Sequence, residues 1–110
     1  MRPTKRADIV ILNNAVMIPL NGGRFALIDL SDLHRVSMHT WTAWKGRSTY
    51  YAKTTYGPAK ARKTIYLHQF ILDSPGALID HENSNGLDCR RHNLREAARK
   101  LDRYKAAGGA

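Results

Sequence analysis

The stretch ALIDHENSNGLDCRRHNLREAARKLD, residues 77–102, decides how this chain is read. It opens on a short apolar run, Ala77-Leu78-Ile79, that ends in an acid and a histidine, Asp80 and His81. The run is too short for a helix of its own and reads as a buried strand. A polar segment, Glu82 to Gly86, follows. A helix is then expected to open at Asn93, a good N-cap, with Glu96 placed as the capping-box acid. Leu94, Ala98 and Leu101 share one face of that helix. At ~100° per residue Asp102 lies roughly 80° from Leu94, beside the apolar stripe, so it can look along the seam toward Asp80 and His81.

Outward from this stretch, the 110 residues suffice for one domain with a modest core. Eighteen basic residues against nine acidic ones give a net charge of +9, which favours a polyanionic partner. The charge is segregated. Between Trp41 and Leu72 stand Lys45, Arg47, Lys53, Lys60, Arg62 and Lys63 with no acid, interleaved with Trp41, Trp44, Tyr50, Tyr51, Tyr56 and Tyr66. A second basic block includes Arg90, Arg91, Arg95 and Arg99. These ten cations are the candidate DNA contacts, because clustered Lys and Arg with aromatic company is the footprint of nucleic-acid binding. The single cysteine, Cys89, excludes an intramolecular disulfide and a Cys-rich zinc cage. No apolar run is long enough to span a membrane, no secretory signal is read, and a cytoplasmic location is expected.

The remaining segments are read as follows. Residues 1–7 form a loose basic arm. Strands are expected within 8–29, with Asn21-Gly22-Gly23 as a hairpin turn and Pro19 near a strand end. Ser31 is placed to cap a short helix with Leu33, Val36 and Met38 inward. A strand pair is expected around Lys45-Gly46-Arg47, a turn at Gly57-Pro58, and a strand running into a short helix over Arg62–Leu72. The expected class is α+β. Residues 1–72 form a β-rich DNA-contacting region with a short helix, 73–106 a nuclease unit, and 107–110 a frayed tail.

Phosphodiester hydrolysis needs a base for the attacking water, a Lewis acid on the phosphate, and cations on the backbone. His81 suits the base, since neutral imidazole is available near pH 7. Asp80 and Asp102 suit a hard divalent ion, Mg²⁺ first and Mn²⁺ second. Neighbours in a regular strand face opposite sides, so Asp80 and His81 can share one site only where the strand ends or twists. His68 and His92 are further candidates for phosphate or site contacts.

The segment IDHENSNGLDCRRHNLREA, 79–97, resembles the HNH motif of phage and intron-associated homing endonucleases, through Asp80, His81, Asn85, Gly86, Leu87, Asp88, Arg91, Asn93, Leu94 and Arg95. IYLHQFIL, 65–72, resembles the segment that precedes that motif, and MIPLNGGRFALIDLSDLHRV, 17–36, resembles the N-terminal half of such phage proteins. The resemblance implies a ββα-metal (HNH) unit at the C-terminal end, one divalent ion, and cleavage or nicking of double-stranded DNA by a monomer or homodimer with no obligate protein partner. It makes His81 the general base and Asp80 a metal ligand. Asn93 becomes the residue that ties the loop together and caps the helix. Asp102 falls where the family usually carries Asn or His. Asp ligates Mg²⁺ well, but it adds negative charge to the site. Two other readings remain: a DNA-binding protein that keeps the fold without cutting, and a small RNA-binding or ribosome-associated protein.

Overall fold

Alternation over Ala15-Val16-Met17-Ile18-Pro19 and Phe25-Ala26-Leu27-Ile28-Asp29 sends every second residue to one side, and that side becomes buried. In the computed structural model, which describes residues 9–97, these segments are strands β2 (Ala15–Pro19) and β3 (Phe25–Asp29). They pair antiparallel with Val16 opposite Ile28 and Ile18 opposite Ala26. All four residues are fully buried. The link Asn21–Gly23 is a single 3₁₀ turn in which Gly22 and Gly23 have φ of 69° and 73°, a region that favours glycine. On the other edge of β2 lies β1 (Val10–Leu12), whose register ends at Val10 opposite Met17. Pro19 therefore sits beyond the reach of β1, where its missing N–H costs no ladder bond.

A 3₁₀ turn, Leu30–Asp32, leads into helix α1 (Leu33–Ser37). Ser31 does not cap it: the residue lies exposed inside the turn, and Leu33 N–H is taken by the Leu30 carbonyl. Val36 is buried, but Met38 is 59% exposed, because the helix ends at Ser37 before a further inward turn forms. The second sheet has the order β4-β5-β6, built from β4 (Thr42–Lys45), β5 (Tyr50–Tyr56) and β6 (Lys63–Tyr66), all antiparallel. Helix α2 (Leu67–Ile71) continues directly from β6 and buries Leu67, His68 and Ile71.

The third sheet is a two-stranded pair, β7 (Ile79–His81) and β8 (Leu94–Glu96), with Ile79 opposite Glu96, Asp80 opposite Arg95 and His81 opposite Leu94. This corrects the helix expected from Asn93. Arg91–Asn93 is a 3₁₀ turn and Leu94–Glu96 is extended. The physical reason is the backbone of β7, which among the described residues pairs with no other strand. The pairing extends past both ends: Glu82 N–H donates to the Asn93 carbonyl at 2.8 Å, and Ala97 N–H to the Leu78 carbonyl at 2.7 Å. Asn93 is thus no helix cap and Glu96 no capping-box acid. The strand expected as buried is half-buried. Ala98, Arg99, Leu101 and Asp102, with the rest of the expected helix, lie outside the described residues.

One core joins these parts. Val16, Ile18, Ala26, Ile28, Val36, Trp41, Ala52, Leu67 and Ile71 pack together with Cys89 and Leu94, so burial crosses residue 72 without a break. Residues 87–89 lie along β3: Leu27 N–H donates to the Leu87 carbonyl at 2.8 Å, and Cys89 N–H to the Leu27 carbonyl at 2.7 Å. That contact covers what would be an open sheet edge. Arg91 pins the same loop. Its guanidinium reaches both oxygens of buried Asp32 at 3.0 and 2.8 Å and the Ile71 carbonyl at 3.1 Å. Its backbone N–H donates to Asp29 at 2.8 Å. Among the described residues no helix is long and apolar enough to cross a membrane.

Candidate active site

Strand β7 delivers His81 at its last residue, and pairing with Leu94 puts its side chain on the inward face. The ring meets two others. His68, from α2, lies edge-on with centroids 4.8 Å apart and planes at 79°, and Tyr51, from β5, is 5.9 Å away. Tyr66 stacks on His68 at 5.5 Å and 16°, and Tyr51 touches it at 5.6 Å. Two glycines allow Tyr51 to sit there. A Cβ at Gly46 would come within 2.5 Å of one edge of its ring, and a Cβ at Gly86 within 2.6 Å of the opposite edge and nearer still to the Tyr50 carbonyl oxygen. A side chain at Gly46 would displace the tyrosine, and one at Gly86 would clash with both the ring and the β5 backbone.

The electrostatics keep both imidazoles neutral. Burial pushes His68 down to about 4, with the His81 charge as the second cause. Burial also pushes His81 below the ordinary imidazole range, against the raising effect of Asp88 and Asp80. His68 Nδ1 and His81 Nε2 are buried without a hydrogen-bond partner. Ring packing therefore surrounds the buried side of His81. A neutral imidazole can accept a proton from water.

The loop from Glu82 to Asn93 is held by a closed polar network around Asn93, which is 4% exposed. Asn93 Nδ2 donates to Asn83 Oδ1 at 3.0 Å and to the Asp88 carbonyl at 2.9 Å, and Asn93 Oδ1 accepts from Asn83 N–H at 3.0 Å. Asn83 Nδ2 donates in turn to buried Asp88 at 2.8 Å. Burial raises the Asp88 carboxyl, but the bonds from Arg90 and Asn83 outweigh it and hold the group below the usual carboxylate range. Asn85 N–H and Leu87 N–H are taken by the side chains of Asn83 and Asn85. Gly86 N–H donates to Thr49 Oγ1 at 3.0 Å, docking the loop on the β4–β5 turn.

The candidate residues divide by what they touch. Asp80 faces away from His81 along the strand, opposite Arg95 in register, yet close enough to act on its charge. Lys45, Arg47, Lys60, Arg62, Lys63 and Arg95 are exposed. Lys53 is half-buried, its Nζ 5.5 Å from the centre of the Trp44 ring, and Arg62 donates to Thr55 Oγ1 at 3.0 Å. Arg90 is half-buried and binds Asp88 at 2.6 and 2.8 Å, while Arg91 is exposed with its guanidinium on Asp32 as described. His92 is exposed and lines a cleft with Asn13, Asn14, Asp29 and Arg90, away from His81. Arg99 and Asp102 lie outside the described residues. Among the described residues no three His, Cys, Asp or Glu side chains group closely enough to hold a metal ion by themselves. Sequence reasoning missed Tyr51 and Gly46 as parts of this site. The signal was available in the spacing of Trp44 and Tyr51 about a short turn, which makes them cross-strand partners.

Comparison with family models, with curated proteins and with solved structures finds no match to this chain.

Proposed function

We propose that the protein is a divalent-metal-dependent DNA endonuclease of the HNH type, nicking or cutting double-stranded DNA. The observation that supports this most is His81: a neutral imidazole at the end of a strand, directly after Asp80, in a hairpin whose loop is locked by Asn93. In this reading His81 takes the proton of the attacking water. His68 and Tyr51 pack against its ring and hold it in place. Lys and Arg side chains of the 41–66 segment hold the DNA backbone. A hard ion such as Mg²⁺ or Mn²⁺ needs as few as one or two protein carboxylates, with water and phosphate filling the shell. Asp80 is the first candidate although it leaves the strand on the face opposite His81, because it lies close enough to act on the charge of the imidazole, and Asp102 is the second. When bound, the ion would supply Lewis-acid polarisation of the scissile phosphate.

The test is a plasmid-nicking assay with Mg²⁺ or Mn²⁺ against an EDTA control. Supercoiled DNA is expected to be relaxed or linearised only with metal, and His81→Ala to lose this while still binding DNA. Wild-type protein that binds DNA tightly but never cuts it, across metals and substrates, would overturn the enzymatic reading in favour of a non-cleaving DNA-binding protein.

A further inference from the structure

The strand register sorts the second sheet into two faces. Ala52 and Thr54 turn to one face and are buried, so their alternates Tyr51, Lys53 and Thr55 turn to the other, beside Trp44 and Tyr66 from the flanking strands. That second face carries a connected aromatic cluster, half-buried at Tyr51 and Tyr66 and open at Trp44. Trp44 lies 6.5 Å from Tyr51 and 6.2 Å from Tyr66, and those two rings are 6.2 Å apart. Tyr51 also touches His81. Trp44 is 43% exposed although it is the largest side chain in the group, and residues 41–72 contain no acid.

An exposed indole flanked by tyrosines, with Lys53 and Arg62 on the same side, has the chemistry of a stacking platform for nucleobases. Duplex DNA keeps its base faces stacked on one another, so it offers such a platform only phosphates and edges. An unpaired base offers a π-face to the indole and a phosphate to the cations. We propose that Trp44, supported by Tyr51 and Tyr66, stacks an unpaired nucleotide of the DNA strand held at His81, so that the preferred substrate is single-stranded or locally opened DNA. Two ring-to-ring contacts, through Tyr51, link Trp44 to His81. The statement that the stacked strand is also the strand cut rests on the nuclease reading; the stacking itself does not.

The experiment measures binding in EDTA, where no cleavage occurs. A short oligothymidylate and a blunt duplex of equal length are titrated against wild type, Trp44→Ala and Trp44→Phe. Trp44 emission is read against buried Trp41, which is 2% exposed, and thermal unfolding confirms that each variant is folded. Trp44→Ala is expected to weaken single-strand binding roughly 5- to 150-fold, the worth of one base–aromatic stack. Duplex binding, dominated by phosphate contacts, is expected to change less than about twofold. Trp44→Phe is expected to keep most of the single-strand affinity. An equal loss on both substrates, or no loss on either, overturns the proposal. If stacking is seen but plasmid is never cut, the nuclease reading fails and the platform stands. If plasmid is cut and Trp44→Ala changes nothing, the reverse holds.

Discussion

Asn93→Ala tests whether the loop that follows His81 is held by the polar network or merely accompanied by it. The substitution removes three side-chain hydrogen bonds, two donated to Asn83 Oδ1 and the Asp88 carbonyl and one accepted from Asn83 N–H. Asn93 is 4% exposed, so water cannot readily replace them. At about 1 kcal/mol net for each bond, the loss is about 3 kcal/mol. In a chain of this size 1 kcal/mol corresponds to about 4–8 °C, so the melting temperature should fall by roughly 12–24 °C. Asn93→Asp keeps the acceptor but loses both donors and brings a second negative charge toward Asp88, so it should do no better. The assay is thermal unfolding followed by circular dichroism, with denaturant titration to convert the shift to free energy. A fall of less than about 4 °C for Asn93→Ala would refute the reasoning, because the network would then be worth under one ordinary hydrogen bond.

Two further outcomes follow from buried charges. His68 is held near 4 in the folded protein against an ordinary 6.5, so between those values the unfolded chain binds the extra proton. Its contribution is therefore complete above about pH 6.5 and is lost as pH falls toward 4, up to about 3 kcal/mol in all. Denaturant unfolding of His68→Phe across that range should show a correspondingly shallower acid loss; slopes equal to wild type would show that His68 is not buried as described. Arg91→Ala leaves the buried Asp32 carboxylate with only Arg35, 3.9 Å away, and should cost about 1.5–3 kcal/mol, partly recovered in Arg91→Lys. An unchanged denaturation midpoint would place the Arg91–Asp32 pair among ion pairs of no consequence.

Most of the chain's organisation was legible from local pattern. Alternation in β2 and β3 and the Asn21-Gly22-Gly23 turn define one hairpin; Gly57-Pro58 and the run from Lys63 to Ile71 define the strand-to-helix passage. Residues 93–96 were not legible in this way. Asn93, with Glu96 three residues later, carries the local marks of a helix start, and those marks describe what a free segment prefers. Leu94–Glu96 is extended because β7 requires a hydrogen-bonding partner, a demand made from a dozen residues away that propensity does not register. The two arginines of the CRRHN segment carry a role that charge alone does not register: each has a buried carboxylate within 3 Å, Asp88 for Arg90 and Asp32 for Arg91.

The arrangement around His81 explains why its neighbours had to come from three separate segments. A catalytic imidazole is often oriented by an acid on its inner nitrogen, and such an acid raises its pKa. Here the inner nitrogen meets no acceptor, and the ring is positioned by His68 and Tyr51. Burial then outweighs the raising effect of Asp88 and Asp80 and holds the imidazole below its ordinary range. The requirement passes instead to shape: Tyr51 must fill its slot, and Gly46 and Gly86 must have no side chains for it to do so. The glycine in the loop after His81 is thus fixed by strand β5, through the Tyr50 carbonyl and the Tyr51 ring. The same tyrosine joins the outward aromatic face to the histidine. Whatever binds on Trp44 is therefore mechanically adjacent to the ring that would act as base.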